Sequence, residues 1–344
     1  MKKILVTGAG GYIGSVLVPK LLKNGYEVLA VDRFFFGNDK IEQGNNVQLL
    51  QDDSRKLKRE LFEELYAVID LVAISNDPSA ELFKKPTEEI NASSRIRTAQ
   101  MAKEAGVKRY ILPSSASIYG YNKNAMDETS ATNPLTVYAK ANENAENGVL
   151  PLADNLFTVT VLRQATVYGL SPRMRFDLAI NGMTYGCFQN KSLPLMRDGK
   201  QFRPMVHIQD TTDLMCQLLE TDVSLINGEI FNVGSSAQNY QIKELAEEIV
   251  QIVSEYLHEK IEIEWYGDPD QRSYFLNFKK IESRLGWKAK HTLKDSVIEI
   301  LDALQSGKIK KDDTTLTLEW YKQLVEWHKR IKEVEKYGGI LDIE

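Results

Sequence analysis

The sequence has little of what disulfide-bonded, metal-binding or secreted proteins require. Its two cysteines, Cys187 and Cys216, do not make a disulfide framework. Without a recognisable secretory signal, we expect both to be reduced thiols in a cytoplasmic protein. The four histidines share no ligand spacing with one another or with the cysteines, so we expect no metal site.

Long apolar runs and an excess of positive charge are also missing. No stretch approaches the ~20 apolar residues that a membrane helix needs, so we expect no membrane span. The formal net charge of −5 argues against a general nucleic-acid-binding protein. With 26% charged and 43% hydrophobic residues, the 344 positions have an ordinary globular composition and can form one large and one smaller domain.

The clearest pattern lies in residues 2–33. An apolar run meets a glycine-rich turn, a helix-period segment and a second apolar run that ends at Asp32. Gly8 would let the strand turn, Gly11 would let the backbone approach a pyrophosphate, and Gly14 would let the helix pack closely on the sheet. Asp32 would accept hydrogen bonds from an adenosine ribose and repel a 2′-phosphate. The pattern therefore favours NAD over NADP, although Arg33, which follows directly, could either stack on adenine or meet a 2′-phosphate.

Alternation of strand-like and helix-like segments predicts the fold. We expect an α/β protein with a Rossmann-type doubly wound parallel sheet, ligands at the carboxyl ends of its strands, and a smaller mixed α/β C-terminal substrate domain. The predicted strands include residues 47–50, 67–75, 109–113, 157–163, 229–234 and 262–265, and the predicted helices include 87–105, 138–150, 241–257 and 316–336.

The same alternation suggests domain boundaries. Residues 1–170 would bind the cofactor, with 205–235 returning to that domain, and residues 171–204 and 236–315 would bind the substrate. Residues 316–344 would form a helical extension, rich in lysine and glutamate, that is solvated or makes a dimer contact.

Five motifs in order carry a family resemblance. They are TGAGGYIGS at the start, PSSASIYG at 113–120, a tyrosine at 138 that opens a helix, FRPMVHIQD at 202–210 and FNVGS at 231–235. The chain resembles the extended short-chain dehydrogenase/reductase family, in its nucleotide-sugar epimerase/dehydratase branch. ATVYGLSPRMRFDL at 165–178 further resembles 4-epimerase and 4-dehydrogenase members. The resemblance implies NAD as cofactor, a nucleotide sugar as substrate, and a homodimer.

The resemblance also implies catalytic roles. Ser115 would hydrogen-bond the sugar oxygen that gains or loses a proton, and Tyr138 would be the general acid or base. A phenol has a reference pKa of ~10, so it needs nearby positive charge to act near neutral pH. In the family this charge comes from a lysine four residues after the tyrosine and from the nicotinamide ring. Here that position is Asn142, and Lys140 should point elsewhere on the helix.

Asn142 leaves three alternatives open. It could still bond the nicotinamide ribose, but it brings no charge, and loss of such assistance costs ~10²–10⁴-fold in rate. The enzyme is slow or has a high pH optimum, another cation such as Arg173 or Arg175 substitutes, or the protein binds nucleotides without turnover.

Further contacts are implied by matching positions. The expected cofactor-binding residues are Gly8, Gly11, Tyr12, Ile13, Gly14, Asp32, Arg33, Asp53, Ser54, Val72, Ala73, Ser75, Asn91, Tyr138 and Asn142. The expected substrate-binding residues are Ser115, Ser117, Thr166, Arg173, Arg175, Arg203 and Arg272.

The residues after Ser115 favour one chemistry. The family's 4,6-dehydratases place Asp and Glu at the positions of Ala116 and Ser117, its decarboxylases place Glu at the position of Ser117, and its 3,5-epimerases place Cys there. None of these groups is present. We therefore expect hydride transfer at one carbinol, C4, by a 4-epimerase or 4-dehydrogenase/reductase.

Overall fold

The computed structural model of the chain describes residues 1–41, 44–122, 124–268 and 273–335. Its strands are β1 (Lys3–Thr7), β2 (Glu27–Asp32), β3 (Val47–Gln51), β4 (Ala67–Asp70), β5 (Arg109–Ser115), β6 (Ala125–Met126), β7 (Thr158–Gln164), β8 (Thr166–Tyr168), β9 (Ser192–Met196), β10 (Phe202–His207), β11 (Glu229–Val233), β12 (Asn239–Gln241), β13 (Glu262–Tyr266) and β14 (Phe275–Leu276). Its α-helices are α1 (Gly14–Lys23), α2 (Asp77–Leu82), α3 (Lys84–Glu88), α4 (Arg95–Glu104), α5 (Val137–Val149), α6 (Ala179–Asn190), α7 (Ile208–Leu218), α8 (Val223–Ile226), α9 (Ile242–Leu257), α10 (Lys279–Leu285), α11 (Leu293–Gln305) and α12 (Thr317–Glu335).

Seven parallel strands form the central sheet in the order β11-β7-β5-β4-β1-β2-β3. The chain proceeds outwards from β1 in one direction through β2 and β3, and then from β4 in the other direction. The connections therefore diverge between β1 and β4, and a ligand crevice is expected at the carboxyl ends of these two strands. The predicted doubly wound α/β fold is confirmed.

Helices cover both faces of this sheet. Along β1, Ile4 and Val6 belong to the core under α1 and α7, whereas Leu5 belongs to the core under α4 and α5. All three side chains are fully buried. Burial on both faces explains why the strand is a continuous apolar run rather than an alternating one.

One predicted strand is too long. Residues 67–75 were expected to form a single strand, but β4 ends at Asp70. Beyond it, the Val72 N–H donates to Thr7 Oγ1 (3.2 Å) and the Ile74 N–H donates to Asn91 Oδ1 (2.8 Å). Side chains thus take the backbone hydrogen bonds that a neighbouring strand would have taken, and residues 71–75 become a loop at the crevice.

The C-terminal part has its own core. Helices α6, α9 and α11 pack together beside the parallel pair β9 and β13. Between its two segments, the chain returns to the main sheet, where α7 packs on α1 and β11 pairs with β7. Within the described residues, no helix is both long and apolar enough to cross a lipid bilayer.

Helix α12 differs from the expected solvated extension. The Tyr321 ring lies against the rings of Phe35, Phe36 and Phe83, with centroids 5.6 to 6.2 Å apart. Trp320 Nε1 donates to the Phe35 carbonyl (2.5 Å). These aromatic contacts join one face of α12 to the loop after β2 and to Phe83, so this face packs within the chain, whereas the expectation was a solvated helix or a dimer contact.

Candidate active site

A cavity of about 940 Å³ opens at the carboxyl edge of the central sheet. Its walls bring together nearly all the side chains that the sequence singles out: Gly8, Gly11, Tyr12, Ile13, Gly14, Asp32, Arg33, Asp53, Ser54, Val72, Ala73, Ser75, Ser115, Ser117, Tyr138, Thr166, Arg173, Arg175 and Arg203. Two expected residues, Asn91 and Asn142, are not on these walls. Arg272 lies outside the described residues.

The glycine loop keeps the N-terminus of α1 open to the cavity. Gly8 has φ +66°, and a Cβ there would lie 2.8 Å from the backbone of Leu71 and Val72. A Cβ on Gly14 would lie 2.5 Å from the carbonyl oxygens of Gly8 and Ala9. These positions therefore hold the strand, loop and helix close together, and the helix N-terminus fits the pyrophosphate of a dinucleotide.

Asp32 lies at the end of β2 beside this loop. Its carboxylate accepts hydrogen bonds from the backbone N–H groups of Gly10 (3.0 Å) and Phe34 (2.7 Å). Burial raises its pKa above the ordinary aspartate value, against the opposing effect of these hydrogen bonds. Each oxygen keeps a further lone pair, which fits a ribose hydroxyl.

Asp53 binds the two arginines at the same end of the cavity. Arg33 Nη1 and Arg55 Nη2 donate to its Oδ2 at 2.9 and 2.7 Å. The hydrogen bond from Arg55 holds the Asp53 pKa well below its usual range. Because Arg33 already has a carboxylate partner, the arrangement favours NAD over a cofactor with a 2′-phosphate.

Asn91 shapes the wall without lining it. It is fully buried, its Oδ1 accepts from the Ile74 N–H (2.8 Å), and its Nδ2 donates to the Ile74 carbonyl (3.0 Å). The family resemblance implies that Asn91 either contacts the cofactor or holds a neighbouring loop, and here it holds the loop of residues 71–75.

Ser115 and Tyr138 meet at the cavity wall. Ser115 ends β5, and Tyr138 lies in the first turn of α5, which Thr136 caps by accepting the Ala139 N–H (3.1 Å). The Ser115 hydroxyl lies close enough to the Tyr138 phenol to lower the pKa of that phenol. Next to them, the buried Ser117 hydroxyl has no hydrogen-bond partner among the described residues. The pair can therefore bind a hydroxyl and move its proton.

Opposing charges act on the Tyr138 phenol. Burial raises its pKa above the ordinary tyrosine value, and the Asp77 carboxylate raises it further. Arg95, the Ser115 hydroxyl and Arg175 act in the opposite direction, in that order. Lys140 is exposed on the other side of α5 and is not among these groups.

Asn142 points into the protein rather than into the cavity. It is 2% exposed, its Oδ1 accepts from Arg95 Nη1 (3.2 Å), and its Nδ2 donates to the Tyr138 carbonyl (2.9 Å). Both ends of the amide are therefore engaged. This position differs from the expected contact with a nicotinamide ribose.

The two arginines of the 165–178 segment have different surroundings. Arg175 binds both oxygens of Asp177 at 3.0 and 2.7 Å, and its Nη1 donates to Ser75 Oγ (3.1 Å). Its donors are thus largely occupied, and it is an unsuitable candidate for binding a phosphate.

Arg173 is the better candidate for an anion. Its guanidinium lies 3.6 Å from the centroid of the Phe36 ring, and its Nη2 donates to Thr317 Oγ1 (3.1 Å). Its buried Nε has no hydrogen-bond partner among the described residues. Burial lowers its pKa to about 9. A phosphate or carboxylate in the cavity would satisfy this donor and stabilise the charge.

Arg203 and Ser117 lie together on the cavity wall. The Arg203 guanidinium is 5.4 Å from the centroid of the Tyr274 ring, and its Nη1 donates to the Phe202 carbonyl (2.8 Å). Thr166 lies on the same cavity's wall.

Several wall residues were not named by the sequence analysis, and two of them, Asp77 and Tyr321, bear on the chemistry and shape of the site. Asp77, at the start of α2, accepts from Thr136 Oγ1 (2.7 Å) and lies on the wall with Ser117. Its place just after β4 was a usable signal, because ligands bind where parallel strands end. Tyr321 of α12 had no such signal, since it reaches the cavity only through tertiary packing.

Comparison with known proteins places this site in context. A UDP-glucose 4-epimerase of Lactobacillus helveticus is 27% identical over 321 residues, covering 86% of this chain and 94% of its own. The UDP-glucuronic acid decarboxylase 1 of Danio rerio is 24% identical over 299 residues, covering 83% and 68%. The crystal structure of UDP-glucuronic acid 4-epimerase from Bacillus cereus, in complex with UDP-glucuronic acid and NAD, has the same fold. Its TM-score is 0.78, with 24% identity over 88% of this chain and 99% of that one.

The family profile described as "NAD dependent epimerase/dehydratase family" matches residues 4–234. That span contains the glycine loop, Ser115, Tyr138 and six of the seven central strands in full, with β1 from its second residue. It ends before α12. The chain therefore belongs to the NAD dependent epimerase/dehydratase family, and NAD, the cofactor expected from the sequence, is the cofactor of that family.

Proposed function

We propose that the protein oxidises C4 of a nucleotide-linked sugar and either releases the 4-keto sugar or reduces it to the epimer. The observation that carries this proposal is that Ser115 and Tyr138 lie together on the wall that also contains the glycine loop. When bound, NAD would accept the hydrogen of the C4 carbon as hydride and return it.

The chain's own residues would handle the proton. The Ser115 hydroxyl would hold the C4 oxygen, and the ionised Tyr138 phenol would take the proton of the C4 hydroxyl as the carbonyl forms. In the reverse direction, the neutral phenol would return that proton. One proton thus moves between the sugar oxygen and Tyr138 Oη.

Other wall residues would fix the two ligands. Asp32 and the N-terminus of α1 fit the ribose and pyrophosphate of the cofactor. Arg173 and Arg203 supply positive charge for a diphosphate or a sugar carboxylate. The unpartnered Ser117 hydroxyl would meet a sugar hydroxyl beside C4.

Asp77 supports a second candidate function. Decarboxylases and dehydratases were disfavoured because Ala116 and Ser117 lack a carboxylate, yet Asp77 brings one to the wall near Ser117 from another segment. A decarboxylase is also among the relatives. In this second candidate, the C4 ketone would form in the same way and then be used for chemistry at C5, with Asp77 moving the proton.

The test uses the purified protein with NAD and a panel of UDP-, GDP-, CDP- and dTDP-linked hexoses and hexuronic acids. An epimer or a 4-keto sugar supports the leading proposal, whereas a pentose or an unsaturated sugar supports the second. Tyr138→Phe should keep NAD affinity and lose turnover, while Tyr121→Phe, at a tyrosine that is 47% exposed, should change neither. If the wild type binds NAD but transforms no sugar over a wide pH range, the protein is a binding protein instead.

A further inference from the structure

The structure offers a replacement for the cation that is missing from α5. We propose that the buried Arg95 supplies the positive charge that a lysine at position 142 would otherwise bring to Tyr138, and that Asn142 holds its guanidinium in place. This inference rests on the role of Tyr138 as acid or base in the proposed function. Arg95 would act through Tyr138 as a positioning residue, without touching the substrate.

Arg95 is buried and is held by hydrogen bonds to backbone carbonyls. It is the first residue of α4 and is 1% exposed. Its Nη2 donates to the carbonyls of Asp70 (2.8 Å) and Pro113 (2.5 Å), near the carboxyl ends of β4 and β5. The guanidinium therefore lies between β4, which leads to the loop of residues 71–75, and β5, which ends at Ser115.

Asn142 links this guanidinium to the tyrosine's own helix. Its Oδ1 accepts from Arg95 Nη1, and its Nδ2 donates to the Tyr138 carbonyl. A neutral amide can accept a hydrogen bond from a guanidinium, whereas an ammonium at the same place would repel it. Asn142 and Arg95 are thus complementary. A lysine at position 142 would be destabilising while Arg95 is present, because the two positive charges would repel each other.

The positive charge of Arg95 is only partly neutralised by its neighbours, so it can still lower the pKa of Tyr138. Its nearest carboxylate is Asp70, with Oδ2 3.7 Å from Arg95 Nε, and that carboxylate also accepts hydrogen bonds from Thr7 and Tyr110. Arg95 Nε has no hydrogen-bond partner among the described residues. In a buried setting, the charge is only weakly screened.

Arg95 is a better substitute than the arginines considered from the sequence. Arg175 acts on the phenol less strongly, and it donates hydrogen bonds to both carboxylate oxygens of Asp177. Arg173 packs against Phe36 and Thr317 and is not among the main groups that act on the phenol. Asp77, which is only partly buried on the cavity wall, acts on the phenol in the opposite direction to Arg95, so the balance of these two charges would help to set the pH at which Tyr138 ionises.

The experiment measures ionisation of Tyr138 directly. The tyrosinate absorbance of each protein is titrated and that of its Tyr138→Phe counterpart is subtracted, because the chain has 15 tyrosines. Arg95→Gln should raise the Tyr138 pKa by about one pH unit or more. In the Arg95→Gln/Asn142→Lys double variant, the pKa should return towards the wild-type value.

Arg97→Gln is the matched control. It removes the same charge two residues further along α4, where the guanidinium instead bonds the carbonyls of Arg55 and Leu57. It should leave the Tyr138 titration unchanged. If Arg95→Gln and Arg97→Gln give the same Tyr138 pKa, the inference is overturned.

A second comparison covers the case in which Arg95→Gln alone does not fold. Asn142→Lys in the wild-type background places two cations together and should lower the unfolding temperature, and adding Arg95→Gln should restore it. If Asn142→Lys is as stable as the wild type, the two positions do not compete for one cation, and the inference fails.

The titration separates this inference from the proposed function, because it needs no substrate. A shifted titration without any sugar turnover would overturn the function and leave the inference standing. Turnover with an unshifted titration would overturn the inference and leave the proposed function standing. Where turnover is found, the low-pH limb of its rate should move with the titration, with about a tenfold loss of rate for each pH unit below the Tyr138 pKa.

Discussion

Acidification should destabilise this protein through one buried histidine. His207 ends β10 and caps α7, and its side chain is 1% exposed. Its Nδ1 accepts the Gln209 N–H (3.2 Å), so the proton of the neutral ring lies on Nε2, which has no hydrogen-bond partner among the described residues. A second proton would need Nδ1 and would remove the cap.

The surroundings of His207 oppose that second proton. Burial and the stacked His291 ring, 4.5 Å away, lower its pKa to about 4, and Lys20 acts in the same direction. Asp210 and Asp295 raise the pKa, but by less. The Glu299 carboxylate lies 4.0 Å from Nε2.

The sign and size of the effect follow from these values. With an ordinary pKa of 6.5 in the unfolded chain and about 4 in the folded protein, the unfolded state binds more protons between these limits. The contribution of the neutral His207 ring to the free energy of unfolding is therefore fully present above pH ~6.5 and is lost as the pH falls towards ~4. The full loss is about 3 kcal/mol, of which about 2 kcal/mol falls between roughly pH 7 and pH 5.

Urea unfolding at about pH 7 and pH 5 measures this loss. His207→Asn keeps a side chain that can cap α7 but cannot be charged, so its free energy of unfolding should fall by about 2 kcal/mol less than that of the wild type. His258→Asn is the control, because His258 is exposed with φ +55°, a conformation that asparagine tolerates. Equal losses in the wild type and in His207→Asn would refute the reasoning.

Three further predictions concern the cavity and its support. Gly14→Ala should weaken NAD binding more than about tenfold in calorimetry, because its Cβ would lie 2.5 Å from loop carbonyl oxygens, and unchanged affinity would contradict this role for the loop. Asp77→Asn should lower the Tyr138 pKa and move the low-pH limb of turnover to lower pH, by up to about one unit, and a shift to higher pH would show that Asp77 does not oppose ionisation. Glu146→Gln should cost about 3 kcal/mol in urea unfolding, because it leaves the Arg163 guanidinium buried without its carboxylate, and a cost below about 1 kcal/mol would show that the pair is dispensable.

Local sequence was sufficient for the framework of this protein. The glycine loop, α1 and the end of β2 at Asp32 were predictable because they depend on neighbouring residues. Apolar runs mark strands that are buried on both faces, and helix periodicity marks the segments between them. The resemblance carried by the motifs also located Ser115 and Tyr138, which the structure brings together.

Only the tertiary structure decided the electrostatics of the site. Asn142 finds its partner Arg95 at a distance of 47 residues along the chain, and neither residue's surroundings predict the other. Asp77 lies on the wall near Ser117 although it follows a different strand. Its carboxylate makes decarboxylase or dehydratase chemistry a second candidate, whereas the residues after Ser115 argue against that chemistry.

The packing of α12 and the conformation of the loop after β4 also depend on distant residues that the local sequence does not reveal. The lysine- and glutamate-rich sequence of α12 resembles a solvated helix, yet Tyr321 packs against aromatic rings from distant segments. The apolar residues 71–75 resemble a strand, yet side chains of Thr7 and Asn91 take their hydrogen bonds. Periodicity records which face of a segment is apolar, but it does not record which distant residue will cover that face or satisfy its backbone, so these features were fixed only when the chain folded.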